Sequence, residues 1–252
     1  MDKQINGAET SERNDLKING TGNTSGGSFN DVIINGVGEI KGDVECLNFK
    51  SNGTSNMNGN LKTKTLKVNG TSSVRGNVNS EDIKINGAAD FNGFVESNFT
   101  KIHGSMNVTG NITSDELYLQ GGMRISGDCN ADKFESSGGF SVIGLLNADS
   151  INIKLHAPCK AKEIGGENIT VKKGNDFSLK KLIKTFFPSW DLDRKLSAEL
   201  IEGNDITLEA TKAKVVRGNN ITIGDDCEIE LVEYKNSFNR SDKTSVKENK
   251  KL

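Results

Sequence analysis

Residues 66–87 read LKVNGTSSVRGNVNSEDIKING, and this stretch contains one full repeat of the chain. The pentapeptide LKVNG at 66–70 returns as IKING at 83–87, so that Gly70 corresponds to Gly87. A fixed period of this kind is the sequence signature of a repeat architecture. Outward from this stretch, one glycine column runs from Gly20 to Gly138, and a second follows each of its members after six residues. We interpret these glycines as structural turns: Gly36, Gly42, Gly53, Gly59, Gly70, Gly76, Gly87, Gly93, Gly104, Gly110, Gly121 and Gly127.

Apolar residues occupy fixed positions in each repeat, at two-residue spacing. Around Gly70 they are Leu66, Val68, Val74 and Val78. Alternation with period two is typical of strands and not of helices. A 17-residue period fits three short strands around a three-sided coil, with each turn (a rung) pairing in parallel with the next. The sequence therefore predicts an all-β fold, a parallel β-helix or solenoid, over residues 15–157.

This register assigns a direction to each side chain. Val74, Val78 and Ile85 are expected to point inward, and Lys67, Arg75 and Lys84 outward. The glycines are expected at corners, because a corner that needs positive φ is resisted by residues with a Cβ.

A column of asparagines precedes the first glycine of successive rungs. A column here means the residues at one position of the repeat. Asparagine tolerates left-handed backbone geometry and can bond to its neighbour one rung away, so we predict a structural ladder. A ligand-binding stripe is the alternative. The members are Asn19, Asn35, Asn52, Asn69 and Asn86, with His103 as a substitute in a later rung.

The register changes after Leu155. Three matching segments are centred on Gly166, Gly203 and Gly218. The second and third follow each other after one short rung, whereas a longer stretch separates the first from the second. They predict a second, short β-solenoid stack over 158–234, with an insert at 174–196.

The insert has apolar residues at helical spacing and contains the single Trp. We expect a helix that packs on a sheet face or covers an end of the coil, with a membrane surface or a protein partner as alternative contacts. The candidate contact residues are Leu182, Phe186, Phe187 and Trp190. The polar segments 1–14 and 235–252 are predicted to be disordered tails. The second is basic, and electrostatic attachment to anionic lipid is the alternative to a solvated tail.

Composition limits the functional classes. Lys plus Arg is 32 and Asp plus Glu is 34, for a net charge of −2, so there is no overall positive field to hold nucleic acid. We find no signal-peptide pattern and no apolar run long enough to span a membrane, and therefore expect a cytoplasmic protein. Four widely separated cysteines are expected to be free, buried thiols, with a zinc site or a redox role as the alternatives: Cys46, Cys129, Cys159 and Cys227.

The search for catalytic chemistry yields little. There are two histidines, His103 in the ladder and His156 where the two stacks meet. Asp115, Asp132 and Asp149 share one column, which we interpret as solvated rather than catalytic. We predict no catalytic residue, no metal site, no cofactor and no small-molecule substrate.

The turns resemble those of the bactofilins, bacterial polymer-forming cytoskeletal proteins. The resemblance rests on Ile40-Lys41-Gly42-Asp43-Val44 and its equivalents at 74–78 and 108–112, and covers about residues 15–155. The stretches 213–218 and 227–234 look like the longer subgroup from spore-forming, Gram-positive bacteria. The resemblance implies nucleotide-free homopolymers, co-assembly with a paralogous bactofilin, membrane association, and scaffolding of cell-envelope or motility machinery.

A structural, self-polymerising scaffold is therefore the favoured function, and an open end rung offers unpaired backbone groups to another copy. We place the polymer interface at Leu16, Ile18, Val32 and Ile34, in the first rungs. The alternatives are a carbohydrate-active or acyl-transferring β-helix enzyme, and a binding module that does not polymerise. Acyltransferase coils are built from hexapeptides and use a catalytic histidine, whereas the 17-residue rung is not a multiple of six and neither histidine is suitably placed.

Overall fold

The structure, a computed structural model, describes residues 13–174 and 194–252. Every regular element in these residues is a β-strand, and all strand pairings are parallel within one sheet. The strands are β1 (Asn14–Ile18), β2 (Thr21–Ile34), β3 (Val37–Ser51), β4 (Thr54–Asn58), β5 (Leu61–Val68), β6 (Thr71–Val74), β7 (Val78–Ile85), β8 (Ala88–Phe91), β9 (Val95–Ile102), β10 (Ser105–Val108), β11 (Ile112–Leu119), β12 (Gly122–Ile125), β13 (Cys129–Ser136), β14 (Gly139–Leu155), β15 (Cys159–Lys173), β16 (Leu196–Leu208), β17 (Thr211–Ile223), β18 (Glu228–Arg240) and β19 (Ser245–Lys251).

The strands coil into a β-solenoid of about 13 turns. In the quoted stretch Leu66 pairs with Ile83 and Val68 with Ile85, so the pairing partners are the equivalent positions of consecutive repeats. The same offset holds from β3 to the β13–β14 pairing, where Cys129 meets Leu146. The predicted 17-residue parallel coil is confirmed.

The hydrophobic core is one continuous cluster inside the coil, formed by inward-pointing side chains stacked from rung to rung. Val74, Val78 and Ile85 are buried, whereas Lys67 and Lys84 are exposed, as the period-two pattern predicts. The largest side chains in the interior are phenylalanines, and Phe134 meets Phe140 edge to face with ring centroids 5.4 Å apart. A chain with only 33% hydrophobic residues can fold this way because most of those in the described part are buried on inward columns.

Small polar side chains fill the remaining interior positions, which the sequence reasoning missed. The Ser55 hydroxyl donates to Ser72 at 2.9 Å, and the Ser97 hydroxyl donates to Ser114 at 2.9 Å. Stacking puts each hydroxyl next to its equivalent in the next rung, so buried polar groups find partners without water. For Ser97 and Ser114 the available signal was a column held by Ser, Thr, Cys or Ala from Cys46 to Ala148. The column of Ser55 and Ser72 gives no such signal, because it continues through Met106 to Phe140.

The corner glycines are required for a reason other than the one predicted. Positive φ among glycines occurs at Gly27 and Gly42 in the described residues, and not at Gly76. A Cβ placed on Gly76 would instead collide with the backbone carbonyl of Gly59, one rung earlier. Consecutive corners stack backbone on backbone, so the expectation of positive φ at Gly76 is wrong and close approach replaces it.

The shorter rungs continue the same coil. Strand β14 pairs with β13 on one side and with β15 on the other, with a register shift between Val142 and Leu145. The rung from β16 to β17 is shorter, since Leu196 pairs with Thr211 and Gly203 with Gly218. The 17-residue spacing returns by the last pairing, in which Glu228 meets Ser245. The two stacks predicted from the sequence therefore share one continuous sheet. The predicted insert helix, with its four contact residues, lies outside the described residues.

The C-terminal segment is built into the coil, which corrects the prediction of a disordered tail at 235–252. Strand β18 runs to Arg240, and β19 pairs with it, so that Val246 lies beside Ile229. The backbone N–H of Ser245 donates to the Cys227 carbonyl at 2.9 Å. The backbone groups on the open edge of β18 can bond to a further strand whatever side chains that strand carries. The polar composition of residues 235–252 was therefore a misleading sign of disorder. Of the predicted N-terminal tail, residues 1–12 lie outside the described part, and β1 begins at Asn14.

Candidate assembly interface

The first described rung presents apolar side chains at the N-terminal end of the coil. Strand β1 pairs with β2, and within the described residues with no other strand. Leu16 is half-buried and packs on the core, and Ile18 is 8% exposed. The backbone groups on the outer edge of this rung are therefore available for pairing, as far as the described residues reach.

The four predicted interface residues form two layers. Leu16 lies beside Val32, and Ile18 beside Ile34. Val32 and Ile34 are 0% exposed, because the first rung covers them. The structure brings the four residues together, but only Leu16 and Ile18 reach the end of the coil.

Gly20 extends the corner column to this end. At Gly36 and Gly53, a Cβ would collide with the carbonyl of the glycine one rung earlier. A Cβ on Gly20 would meet nothing within 4 Å in the described structure. Gly20 thus leaves the corner open to a further backbone stacked on this end.

The asparagine ladder begins at the same end and is present as predicted. Asn35 donates its side-chain N–H to Asn19 at 2.8 Å, and Asn52, Asn69 and Asn86 repeat the bond at 2.7–2.8 Å. His103 follows in this column. Partial burial, with the nearby charges of Lys101 and Lys84, lowers its pKa. The ladder binds rung to rung, and each amide from Asn35 to Asn69 both donates one N–H to a neighbouring rung and accepts one.

The opposite end of the described coil is largely polar, with Phe238 and Val246 as half-buried apolar residues. The core column that contains Val216 and Val232 ends in Asn249, and the column that contains Ile223 ends in Arg240. Every residue of β19 except the half-buried Val246 is exposed. Solenoids commonly end in a rung of this kind, which keeps the terminal face hydrated.

The cysteines are free and buried, as predicted. Burial raises the pKa of Cys129 and of Cys159 to about 12 and also raises the pKa of Cys46 and Cys227. A thiol held protonated is neither a nucleophile nor a metal ligand, since both roles need the thiolate.

The other titratable groups do not assemble a reaction centre in the described residues. Asp115, Asp132 and Asp149 are all exposed along one column, and Asp115 accepts a bond from Asn98 at 2.8 Å. The imidazole Nδ1 of His156 is buried without a hydrogen-bond partner among the described atoms. No cluster of three potential metal ligands occurs in the described part of the chain.

A groove of about 650 Å³ runs along the second stack, with Val142 and Ala198 in its lining. Its charges are paired across rungs, as in Lys214–Glu199 at 3.1 Å and Lys247–Glu230 at 3.2 Å. Sugar-cleaving sites need a pair of acids facing one substrate, and these acids are held by lysines instead.

Among the described residues, no helix is long and apolar enough to cross a membrane.

Residues 1–96 match the family model described as "Bactofilin: Polymer-forming cytoskeletal". The predicted bactofilin resemblance is confirmed. The matched segment includes the apolar N-terminal rung and the asparagine ladder, so the bactofilin-like part of the chain is the part that carries the candidate interface. The bactofilin match supports a structural, cytoskeletal role.

Two relatives from Bacillus subtilis (strain 168) are similar to the bactofilin-like chain. Uncharacterized protein YhbE is 53% identical over 57 residues, which is 23% of this chain and 24% of the relative. Uncharacterized protein YhbF is 36% identical over 97 residues, or 38% of this chain and 37% of the relative. The chain thus matches less than two-fifths of either relative. No solved structure gives a significant match.

Proposed function

We propose that the protein is a nucleotide-independent, self-polymerising scaffold of the bactofilin type, in which copies join through the N-terminal end of the coil. The observation that carries the proposal is the contrast between the two ends. Leu16 and Ile18 begin two apolar columns at the N-terminal end. At the other end the Ile18 column finishes in Arg240 and the Val232 column in Asn249, while the Leu16 column finishes in the half-buried Phe238.

Two physical terms favour contact at the apolar end. Covering Leu16 and Ile18 removes apolar surface from water, at roughly 25 cal/mol for each Å². A second backbone also satisfies the open N–H and C=O groups of β1, as one rung does for the next along the coil. Both terms need only another copy, so assembly requires neither nucleotide nor metal.

The contrast between the ends also suggests which ends meet. An apolar end finds its best match in another apolar end, so two copies pair through their N-terminal rungs. Such an isologous contact closes on itself, and a filament then grows through a second contact elsewhere on the surface.

The cellular setting follows the bactofilin resemblance. We place the protein in the cytoplasm, peripheral at the cytoplasmic membrane, where it supports cell-envelope or motility machinery. A paralogous bactofilin is a further partner. Leu182, Phe186, Phe187 and Trp190 remain the proposed membrane or partner contact.

The test compares two end variants of the purified protein by sedimentation and electron microscopy, without nucleotide or metal. Leu16→Glu places a charge on the end rung, and Gly20→Val places bulk where the corner is open. Both are expected to fold with a native circular dichroism spectrum and to lose end-to-end assembly.

The matched control is Lys17→Glu, which changes the charge of an exposed, outward side chain between the two interface residues. The control is expected to assemble like the original protein. Normal assembly by folded Leu16→Glu and Gly20→Val would exclude the N-terminal end, and absence of any polymer in the original protein would exclude the scaffold.

A further inference from the structure

Two neighbouring faces of the 17-residue coil carry exposed columns of like charge. The lysine stripe consists of Lys50, Lys67, Lys84 and Lys101, which are directly paired across successive strands β3, β5, β7 and β9. The acidic stripe lies in the column that passes through Asn98, and its members are Glu81, Asp115, Asp132 and Asp149. All four acidic residues are exposed, and the lysines are exposed or half-buried.

Like charges that face each other across adjacent strands destabilise a sheet. In the described residues none of the four lysines of the stripe forms an ion pair, and neither do Glu81, Asp132 and Asp149. Of the adjoining column in the same four rungs, which holds Asn48, Thr65, Asp82 and Phe99, only Asp82 is acidic. The lysine stripe therefore keeps one sign over four successive rungs, and the acidic stripe, which begins after Lys64 of the same column, is interrupted only by Asn98.

The second stack shows that this fold can neutralise its outward charges. Arg217 bonds to Glu202 on one neighbouring strand at 3.3 Å and to Glu233 on the other at 2.8 Å. Lys214 bonds to Glu199 at 3.1 Å in the same way. Residues of opposite charge in one column can thus form ion pairs between rungs, and the residues of the two stripes do not form such pairs in the described structure.

The rise of the coil gives both stripes the same spacing. Each stripe advances one position per rung, about 4.8 Å along the axis. Two copies lying side by side can therefore match charge to charge over several rungs without distortion. Any other polyanion or polycation would need this spacing by coincidence, whereas a second copy has it by construction.

We propose that the lysine stripe of one copy docks side by side on the acidic stripe of a second copy. Alignment without stagger is unfavourable, because Lys67 would then face Lys64, which shares a column with the acidic stripe. A stagger of three rungs places Lys67 opposite Asp115, Lys84 opposite Asp132 and Lys101 opposite Asp149. This lateral contact goes beyond the end-to-end contact of the proposed function.

An anionic lipid surface fits the observations less well. It would use the lysine stripe alone, and the acidic stripe on the neighbouring face would be repelled from it. The chain also has a net charge of −2, so no overall attraction draws it to an anionic surface. A second copy uses both stripes at once.

The strength of the contact follows from its exposure. Single solvent-exposed ion pairs are weak and are screened by salt, so two isolated copies associate only slightly. Copies already joined end to end present the stripes repeatedly, and the contacts then act together. The expected product is a bundle or sheet of filaments at low salt that separates into single filaments at high salt.

Two charge-reversal variants test the proposal. Variant one is Lys67→Glu with Lys84→Glu, and variant two is Asp115→Lys with Asp132→Lys. Either alone presents two faces of the same sign and is expected to lose lateral association, measured by light scattering at low salt and by filament width in electron microscopy. An equimolar mixture of the two is expected to regain it, because each supplies the sign that the other lacks.

The matched control is Lys62→Glu with Arg75→Glu, which makes the same charge change at two exposed residues outside both stripes and is expected to keep lateral association. Bundling by either test variant alone, or no recovery in the mixture, would overturn the proposal. If variant one still bundles but no longer binds phosphatidylglycerol vesicles, the lysine stripe serves a lipid surface instead.

The end contact and the lateral contact fail in distinguishable ways. Single filaments of a variant show an intact end contact without the lateral one. If the original protein forms no filaments, sedimentation velocity at low salt and high protein concentration measures the weak side-by-side association directly. Salt-sensitive association that is absent from the original protein under these conditions would reject the stripes as an interface.

Discussion

Gly53 and Gly20 occupy the same corner column but have different surroundings. A Cβ on Gly53 would collide with the carbonyl of Gly36 and lie 2.8 Å from the carbonyl oxygen of Asn35, whereas one on Gly20 has open space. Gly53→Ala is therefore expected to reduce the free energy of unfolding by roughly 1–3 kcal/mol, the cost of a forced backbone shift. Gly20→Ala is the control, with little change expected. Urea denaturation of unpolymerised protein measures both, and equal losses would contradict the stacking explanation.

Val74 makes the corresponding point for the core. Its side chain is 0% exposed and lies between Met57 and Phe91 of the neighbouring rungs. Val74→Asp buries an unpaired carboxylate, which costs several kcal/mol, so β4, β6 and β8 are expected to open.

Hydrogen exchange resolved by peptide would show that loss of protection. Ser73→Asp is the control, because the neighbouring side chain points outward and is half-exposed. Protection of the three strands that survives in Val74→Asp would mean that the assigned register is wrong.

At the scale of a strand, β19 acts as the polar last rung of the described coil. It covers Ile229 with Val246 and Val232 with Asn249. Removal of residues 242–252 is expected to lower the melting temperature and to expose an apolar end like the one at Leu16. The truncated protein should then aggregate or polymerise through its C-terminal end, and sedimentation of the truncated and full-length chains would detect it. A truncated chain that melts and sediments like the full-length one would show that β19 contributes nothing.

The inward columns could be read from the sequence because apolar residues such as Leu66, Val68 and Val74 recur at one spacing and point to one side of a strand. β19 could not be read in this way. Its residues Lys247, Glu248 and Asn249 have no apolar alternation, and they are held by backbone bonds to β18 that leave no mark in composition. The reason for the glycines was also hidden, since a close approach between rungs is a property of the stacked backbone and not of one rung.

For the whole molecule, each rung contacts chiefly the rungs beside it, so stability is expected to vary along the coil. The four buried cysteines can report local opening at four points along the coil. Cys46 lies near its start, Cys129 and Cys159 lie further along, and Cys227 lies near its end. Burial holds their pKa above its ordinary value, so these thiols stay protonated and unreactive in the folded coil at pH 8.

Alkylation with iodoacetamide in increasing urea is therefore expected to label the cysteines in the order in which their rungs open. Single-cysteine variants with serine elsewhere would identify each site by mass spectrometry. Rapid alkylation of Cys129 in native buffer would contradict the burial on which this expectation rests. The buried thiols also make stability depend on pH. Burial raises the pKa of Cys129 to about 12 in the folded state, above its unfolded value. The contribution of Cys129 to the free energy of unfolding is therefore fully present below the unfolded-state pKa and is lost as the pH rises toward the folded-state pKa.

Strands β15 and β16 pair directly, although the chain between them departs after Gly174 and comes back at Arg194. The backbone N–H of Cys159 donates to the Lys195 carbonyl at 3.0 Å, beside the corner where Gly174 bonds back to Leu155. Departure and return thus lie at one corner, on either side of which β15 and β16 pair directly. A fluorescent protein or an affinity tag placed there would decorate an assembled fibre once per subunit, so this corner is a natural attachment point for imaging it in a living cell.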